Sequence, residues 1–407
     1  MVAVQVALCL VPLCGVTAFA IDCGMMMEYR RRVQSATDAA ALAAANDLYQ
    51  HFPTNSGLDV GGTASASASV TASANGFSSG STLTVNVPPS TGPFSGKAGY
   101  VEVLLQYNMP RGFSSIIGSG TLPIKARSVA RGLWAPFNNG IIVLDPTSSG
   151  ALTDSGNGTI TVTGGNIIVD SSSSSAANAI GNGTVTAPKI VITGSPGDVT
   201  TGHGKFVGGI DSGAIPTVDP LLYLTQPDST SMPTVRSSAL SLSGGTTVLS
   251  PGVYVGGISL GGNATAVLSP GVYYLKGGGL SISGNANLTG TGVMLYNDPG
   301  STGGTISLAG NGAITLSPPT TGNYKGISIF QNRTATTTVN VSGNSAMNLT
   351  GTIYAAHALL KVSGNGSTSV VGSQYICYDL TVVGNGSVNV VWTASTTANT
   401  RSLGLVE

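Results

Sequence analysis

The distribution of apolar and polar positions divides the chain into a helical start and a long remainder of short strands. Residues 1–21 are apolar and carry no charged side chain, whereas residues 22–50 are polar at first and then rich in alanine, the best helix former. At about 1.5 Å per residue, the apolar run makes about 31 Å of helix, which matches the hydrocarbon core of a bilayer. The sequence predicts one long helix over residues 1–50, with a transmembrane start and an end exposed to water.

The water-exposed half of this predicted helix carries a stripe of small residues. Its members are Ala36, Ala39, Ala40, Ala43 and Ala44. They are three and four positions apart and therefore lie on one face of a helix. Such a stripe can pack against another helix, or it can reflect helix propensity alone. The segment PTNSG that begins at Pro53 ends the helix.

Residues 60–132 contain alternating runs that predict strands. The three firmer runs are LTVNV (83–87), YVEVLLQYN (100–108) and LPIKARSVA (122–130). A fourth run, ASASASV at 64–70, alternates between small residues only and predicts a weak strand. Between the last two strands lies an apolar connection with Phe113, Ile116 and Ile117. These side chains either fill the core or form an exposed patch for a partner or a membrane.

From about Asn138 onward, short strands alternate with Gly-Asn turns. Eight of the Gly-Asn pairs lie at 156–157, 181–182, 262–263, 284–285, 310–311, 343–344, 364–365 and 384–385. The last three asparagines are 21 and 20 positions apart, and the phrase LSPGVY recurs after 19 positions. A period near 20 with two or three strands per repeat predicts a right-handed parallel β-helix of about 13 coils, whose stacked coils share one core. A β-sandwich is the competing architecture.

One proline-rich insertion interrupts the repeat. Residues 211–236 hold Pro216, Pro220, Pro227 and Pro233. Proline lacks the N–H that strand pairing needs, so this segment is not expected to form a coil. We predict a loop lying across the β-helix, with Leu221, Leu222, Tyr223 and Leu224 packed on it. The insertion could instead split the β-helix into two domains.

These patterns together predict a mainly β protein with three parts. Residues 1–50 form a transmembrane and extended helix, and residues 51–135 form a small α+β or β domain. Residues 136–407 form the parallel β-helix, with the insertion at 211–236. The abundance of Val, Ile and Thr argues against disorder, although only 8% of the residues are charged. The formal net charge is zero, so no nucleic-acid partner is expected.

The cysteines do not form the pattern of a disulfide framework. The chain contains Cys9, Cys14, Cys23 and Cys377. The first three lie in or beside the apolar run, where cysteine usually acts as a small apolar residue. Only Cys377 lies in the strand-rich part, so no disulfide framework is expected there.

The apolar start has a second interpretation as a signal peptide. The residues Ala18-Phe19-Ala20 resemble an A-x-A cleavage site. However, no positively charged segment precedes the run, and the run is long for a signal peptide, which favours an uncleaved anchor. The membrane orientation is open on charge alone, because the positive-inside rule would keep Arg30, Arg31 and Arg32 in the cytoplasm.

The first fifty residues also resemble a known family. The segments AVQVALCLVPL (3–13), IDCG (21–24) and YRRRVQSATDAAALAAA (29–45) are similar to the N terminus of TadE/TadG-like proteins, and a weaker likeness continues to about Gly132. These proteins belong to the Tad (Flp) pilus-assembly machinery of bacteria. The resemblance implies a single-pass protein of the bacterial cell membrane, with its bulk in the periplasm or outside the cell. It also implies contacts between the N-terminal helix and other pilus-assembly or envelope proteins.

Candidate catalytic residues are few. Gly202-His203-Gly204 is similar to the Gly-His-Gly of polygalacturonase-like enzymes, but those sites also need clustered aspartates. A single carboxylate, Asp298, lies between Ser229 and Tyr378. We therefore interpret His203 as a turn residue.

Candidate metal ligands are equally sparse. His51 and His357 have no partner that the sequence reveals. The densest acids are Asp198, Asp211, Asp219 and Asp228, and their spacing fits no calcium loop. We expect no catalytic, cofactor-binding or metal-binding residues. The predicted function is a non-enzymatic, membrane-anchored envelope protein of the Tad pilus-assembly type, with a surface adhesin or binding rod and then a polysaccharide-active β-helix enzyme as alternatives.

Overall fold

The structure, a computed structural model, describes residues 2–116, 118–342, 347–364 and 369–407. Ile117, the pair Gly343-Asn344 and Asn365, all used in the sequence analysis, lie outside the described residues. The chain divides into two compact units. The N-terminal unit comprises Met1–Ala135 with Arg401–Glu407, and the solenoid unit comprises Pro136–Thr400.

The described residues form the following helices and strands. The helices are α1 Val2–Gln50, α2 Phe52–Asn55 and α3 Thr63–Ala74, and single 3₁₀ turns lie at Phe113–Ile116, Ser229–Ser231 and Gly300–Thr302. The first strands are β1 Ser81–Asn86, β2 Tyr100–Pro110, β3 Thr121–Pro136, β4 Asn139–Val143, β5 Leu152–Gly156, β6 Thr159–Thr163, β7 Asn166–Val169, β8 Ala177–Gly181, β9 Thr184–Ile192, β10 Asp198–Gly202 and β11 Lys205–Ser212. The next are β12 Thr234–Arg236, β13 Leu240–Leu242, β14 Thr246–Leu249, β15 Gly252–Val255, β16 Ile258–Leu260, β17 Thr265–Leu268, β18 Gly271–Lys276, β19 Leu280–Ile282, β20 Asn287–Thr291 and β21 Val293–Asp298. The last are β22 Ile306–Leu308, β23 Ile314–Ser317, β24 Ile327–Gln331, β25 Val339–Ser342, β26 Met347–Leu349, β27 Thr352–Gly364, β28 Ser369–Gly372, β29 Gln374–Gly384, β30 Ser387–Val391 and β31 Asn399–Leu405.

The N-terminal unit packs helices on a four-stranded sheet with the order β1-β2-β3-β31. Strands β1, β2 and β3 pair antiparallel, and they contain the three firmer runs that the sequence predicted as strands. The run ASASASV is helix α3, so its prediction as a strand was wrong. Ala64, Ala68 and Ala72 recur every four residues and are buried against α1. Asp59 accepts hydrogen bonds from the N–H groups of Ala64 and Ser65, at 2.9 and 3.0 Å, which stabilises the start of this helix.

The small-residue stripe of α1 is a packing surface. Ala36, Ala40 and Ala44 are buried with Ala41, Ala45 and Leu48, while Ala39 and Ala43 are half-buried. This face contacts the alanines of α3 together with Val101 and Val103 of β2. A Cβ atom at Gly132 of β3 would collide with the carbonyl oxygen of Ala45. Only glycine at position 132 therefore lets the helix approach the sheet this closely.

The solenoid unit is a parallel β-helix of about 11 turns, which confirms the predicted architecture with fewer coils than the expected number. Each full coil contributes three short strands, so a strand pairs with the third strand after it. One interior column shows the repeat: Leu240, Ile258, Leu280, Ile306 and Val339 follow one another in register. All five belong to a single apolar cluster that fills the inside of the coils.

The coils do not stack in sequence order. Strand β4 pairs with β29 on one side and with β7 on the other. The first coil, residues 139–163, therefore lies between the last coil and the second. The chain then builds coils outward to β11, and residues 213–233 lead to β12, which starts the opposite end. From β12 the coils return toward β29 and β30, where the last coil meets the first.

Candidate functional surfaces

The first half of α1 presents large apolar side chains to its surroundings. Leu13, Val16 and Phe19 are 65%, 69% and 71% exposed. Burying such side chains is favourable by roughly 25 cal/mol per Å², so a contiguous exposed set marks a surface that another apolar phase covers. Among the residues that the structure describes, no helix combines the length and the apolar character that crossing a membrane requires.

Asp22 connects the end of the apolar run to the loop that follows β2. Its Oδ1 accepts a hydrogen bond from the N–H of Phe113 at 3.0 Å, and its Oδ2 accepts one from the N–H of Ser114 at 2.7 Å. Interactions with Ser114, first through its side chain and then through its N–H, lower the pKa of Asp22. A Cβ atom at Gly112 would collide with Oδ1 of Asp22, so glycine permits this close approach. The carboxylate thus fixes the loop to the helix.

The loop held by Asp22 exposes Phe113 rather than burying it. The Phe113 side chain is 53% exposed, which matches the exposed-patch alternative of the sequence analysis. On α1, Met26, Met27, Arg30 and Arg31 line one continuous face. Apolar and basic side chains therefore lie next to each other just beyond the apolar run.

The N-terminal unit also contains an ion pair with a buried carboxylate and a partly exposed guanidinium. Glu102 has no exposed surface, and its Oε1 accepts a hydrogen bond from Nε of Arg127 at 2.7 Å. Thr91, Ser90 and Asn86 donate further hydrogen bonds at 2.5 to 3.0 Å. Burial alone would raise the pKa of Glu102, but these hydrogen bonds outweigh it and hold the pKa well below its ordinary value. The network is structural, because its groups satisfy one another.

On the outside of the solenoid, aromatic side chains form a ladder. Tyr274, Tyr296, Phe330 and Tyr354 follow one another in register, with ring centroids 4.9, 5.4 and 4.8 Å apart. The residue before each ring points into the apolar interior, so the rings point outward because side chains alternate along a strand. Nevertheless the four rings are at most 6% exposed. Another segment of the solenoid unit must therefore cover them.

The covering segment is residues 213–233, which we call the strap. Its contacts follow its sequence from coil to coil: Asp219 accepts from the hydroxyl of Tyr354 at 2.6 Å, and Gln226 accepts from the hydroxyl of Tyr296 at 3.1 Å. The strap lies along the ladder and joins the two ends of the coil series. Residues 213–233 of the predicted insertion therefore form a loop across the β-helix, whereas residues 211–212 and 234–236 belong to strands β11 and β12. The coils pair continuously within one solenoid unit.

Arg333 is the main connection between the coils and the strap. Its guanidinium donates to the carbonyl oxygens of Leu221, at 2.5 Å, and Leu224, and it donates to the hydroxyl of Tyr354 at 3.0 Å. The same group lies 5.5 Å from the centroid of the Phe330 ring. A carbonyl pair, a hydroxyl and an aromatic face therefore all contact one side chain.

Two of the four strap residues that were predicted to pack do so. Leu221 and Leu224 are 1% and 9% exposed, whereas Leu222 and Tyr223 are 46% and 60% exposed. The N–H of Leu224 donates to the carbonyl of Leu221 at 3.0 Å, which makes a turn. The turn places residues 221 and 224 on the inner side and the two residues between them on the outer side.

The Gly-Asn turns stack at one corner of the solenoid. The Asn157 amide donates to Asn385 at 3.0 Å, and the Asn182 amide donates to Asn157 at 2.7 Å. In the next coil, His203 occupies the position that asparagine has in the other turns. The N–H of His203 donates to the carbonyl oxygen of Gly181, just as the N–H of Asn182 donates to the carbonyl oxygen of Gly156. His203 therefore lies in a turn, as the sequence analysis interpreted it.

The other candidate ligands lie apart from one another. His51 contacts Asp47 at 3.3 Å, and the His357 ring stacks on Tyr378. Asp211 pairs with Lys189 at 2.7 Å. Asp228 caps a turn by accepting from Thr230 N at 2.9 Å, and Asp219 binds the strap to Tyr354. Across the described residues, no group of three or more His, Cys, Asp or Glu is placed to hold a metal ion.

The sequence analysis missed two buried carboxylates, Asp154 and Asp170, and the half-buried Asp379 in the coils near the junction of the first and last coil. Burial raises the pKa values of Asp154, Asp170 and Asp379 to about 6. The N–H of Thr217 partly offsets this at Asp170. Asp154 has no exposed surface and accepts no hydrogen bond of normal geometry from the described residues, although the N–H of Thr184 partly offsets the effect of burial on its pKa. The alternation of Leu152 and Asp154 along β5 was the available signal, since it places both on the inner face.

The comparisons with known proteins concern the N terminus only. A search of curated proteins and of solved structures found no match to this chain. A family model does match, and its boundaries nearly coincide with those of α1. Residues 2–47 match the family Tad, described as "Putative Flp pilus-assembly TadE/G-like", so the chain carries a TadE/G-like segment at its N terminus.

Proposed function

We propose that the protein is a non-enzymatic component of the bacterial cell envelope that assembles or anchors a Tad/Flp pilus or a related surface structure. The observation that carries this proposal is the family match over residues 2–47. The matched segment contains both the apolar run and the helix that packs against α3 and the sheet. A partner that recognises this family segment would therefore engage α1.

We further propose that residues 2–21 insert into the cell membrane as a single-pass anchor, with the bulk of the chain in the periplasm or outside the cell. The absence of charged side chains in this run supports the proposal. The exposure of Leu13, Val16 and Phe19 supports it as well, because lipid would cover these side chains. Asp22, the first charged residue, then lies at the membrane boundary.

We propose a scaffold role for the solenoid unit rather than catalysis or glycan binding. The acids that a glycan-active site would need have structural partners, as at Asp211, Asp219 and Asp228. The outward aromatic ladder, which would suit a binding platform, is covered by the strap. These observations favour the scaffold over the adhesin and the enzyme.

Fractionation of cells tests the anchor, and a pilus assay tests the role. In bacteria that assemble Tad pili and carry this gene, we expect the full chain to stay in the membrane pellet after carbonate extraction. Replacing Leu13 and Val16 by arginine should release it and reduce the pilin sheared from cells. Ile215→Arg, at a residue that is 90% exposed on the strap, is the matched control and should change neither. Wild-type pilus yield in cells lacking the gene would contradict the role.

A further inference from the structure

Exposed apolar and basic side chains surround α1 just after the apolar run. We call this set the collar: Met25, Met26, Met27, Arg30, Arg31 and Phe113. The methionines are 39%, 43% and 65% exposed, Phe113 is 53% exposed, and both arginines are exposed. Three consecutive exposed methionines followed by arginines are unusual for a helix that faces water alone.

One face of α1 at the level of the collar is packed against the body of the N-terminal unit. Val33 is buried in a cluster with Leu105 and Met109 of β2, and Tyr29 packs against the same cluster. Met27 and Arg31 lie on the far side of the helix from Val33, whereas Met26 and Arg30, seven and three positions before Val33, lie beside the packed face. The collar side chains therefore surround α1 at this level.

The position of the arginines along the helix fits the depth of lipid headgroups. Arg30 follows Ile21 by nine positions, which corresponds to about 13 Å of helix. Helical side chains lean toward the N terminus, which brings the guanidinium about 6 Å closer to the apolar run. The headgroup layer on each side of a bilayer is roughly 5–8 Å thick. The guanidinium group of Arg30 then lies at the outer edge of this layer, and that of Arg31 lies about 1.5 Å farther out.

Phe113 reaches the same depth by a different route. It comes from the loop after β2 and is brought to this level because Asp22 accepts the N–H groups of Phe113 and Ser114. An exposed phenyl ring beside the first charged residue of the helix suits the boundary between lipid tails and headgroups. The body of the unit thus contributes its own side chain to the collar.

We propose that the collar seats the N-terminal unit on the membrane surface. Phe113 and the methionines enter the boundary region, and Arg30 and Arg31 bind the phosphates of anionic lipids. This inference rests on the proposed insertion of residues 2–21. Arg32 does not belong to the site, because its guanidinium lies 5.7 Å from the centroid of the Tyr29 ring.

Fluorescence of Phe113→Trp in the full chain tests the proposal. The chain is placed in phosphatidylcholine vesicles with or without phosphatidylglycerol, together with lipids brominated near the glycerol. Subtracting the signal of the unsubstituted chain isolates the new tryptophan. We expect the brominated lipids to quench the new tryptophan, and to quench it more strongly in the anionic vesicles. Arg30→Gln and Arg31→Gln should each lower the equilibrium constant between the membrane-seated and the released N-terminal unit by roughly fivefold.

Arg32→Gln is the matched control, since it removes the same charge from the neighbouring position. It should leave the quenching nearly unchanged. Equal effects of Arg31→Gln and Arg32→Gln, or equal quenching in both kinds of vesicle, would overturn the lipid site. Failure of the anchor is a separate result, because the chain would then not float with either vesicle in a density gradient.

Discussion

The two units bury a carboxylate in opposite ways. Glu102 in the N-terminal unit is fully buried and surrounded by donors, and its pKa is lowered. Asp154 in the solenoid unit is also fully buried, but its pKa is raised to about 6 by burial. The residues in register with Asp154 are Val382 and Ala179, which are apolar like most of the interior. In the N-terminal unit, helices and sheet together can place side chains of different types around one charge. In the solenoid unit, the neighbours of an interior residue are the equivalent residues of the adjacent coils, and these are mostly apolar.

The largest expected effect comes from breaking the network of Glu102. Glu102→Gln removes the buried charge that accepts the hydrogen bonds of this network, while Arg127 keeps its pair with Glu407. It should lower the free energy of unfolding of the N-terminal unit by about 4 kcal/mol. Each unit has one tryptophan, Trp134 and Trp392, so single-tryptophan variants report each unit separately in urea titrations. Glu28→Gln, at an exposed position, is the control and should change stability by less than about 0.5 kcal/mol. A similar loss of unfolding free energy in Glu102→Gln and Glu28→Gln would contradict a stabilising role of the Glu102 network.

The next effect has the opposite sign and concerns the solenoid unit. The pKa of Asp154 is 3.8 before folding and about 6 after it, so folding favours the protonated form. Asp154 alone should therefore raise the stability by about 3 kcal/mol as the pH falls from above 6 to below 4. Asp154→Asn should raise stability at pH 8 and remove this part of the dependence, as read from Trp392, while the parts from Asp170 and Asp379 remain. Unchanged stability of the variant at pH 8 would show that the buried carboxylate carries no cost.

Acid should affect the N-terminal unit in the other direction. The pKa of Glu102 is lowered from 4.5, so its contribution is complete above that value and is lost as the pH falls below it. Between pH 6 and pH 4.5, acid should therefore stabilise the solenoid unit without weakening the Glu102 network.

On the outer face of the solenoid, unlike in its interior, a charged side chain has specific partners: Arg333 contacts the strap and the ring of Phe330. Arg333→Lys keeps the charge but loses the paired donors and the planar contact with Phe330, and we expect the strap to loosen by about 2 kcal/mol. Limited chymotrypsin digestion at the exposed Tyr223 measures this loosening. Arg236→Lys, on the exposed strand β12, should leave the digestion rate unchanged. Equal digestion rates of the unsubstituted chain, Arg333→Lys and Arg236→Lys would show that Arg333 does not hold the strap on the coils.

The smallest effect concerns the asparagine corner. Asn157 exchanges hydrogen bonds of 3.0 and 2.7 Å with its neighbours, whereas those of Asn285 are 3.4 and 3.5 Å. Asn157→Ala should cost about 1 kcal/mol and Asn285→Ala should cost less, because longer hydrogen bonds are weaker. Thermal unfolding followed by circular dichroism compares the two variants. A larger loss of stability in Asn285→Ala than in Asn157→Ala would contradict a stabilising contribution of the asparagine hydrogen bonds.

Local chemistry made much of the fold predictable. Each Gly-Asn turn is specified by a few neighbouring residues. The spacing of these turns therefore predicted the parallel β-helix, although it did not predict the order in which the coils stack. Helix α3 was missed because Ala64, Ala66 and Ala68 satisfy a period of two as well as a spacing of four. With side chains this small, only burial against α1 decides between strand and helix.

Long-range pairings were the part that the sequence did not reveal. Any coil edge offers the same backbone groups, so nothing local in β4 indicates that it pairs with β29. The contact between Asp22 and Phe113 likewise joins residues 91 positions apart. The prolines of the strap indicated an interruption but not its path along the aromatic ladder.

The order of the coils has a consequence for the newly made chain. The coil of residues 139–163 is complete on one side only when β29 and β30, which end at Val391, have been synthesised. Ribosomes add roughly 5–20 residues per second, so that interval lasts on the order of 10–50 s. During this time one rim of the earliest coil offers unpaired backbone groups to any other nascent strand. Strands β29 and β30, the last of the solenoid unit to be translated, therefore close the exposed edge of its first coil.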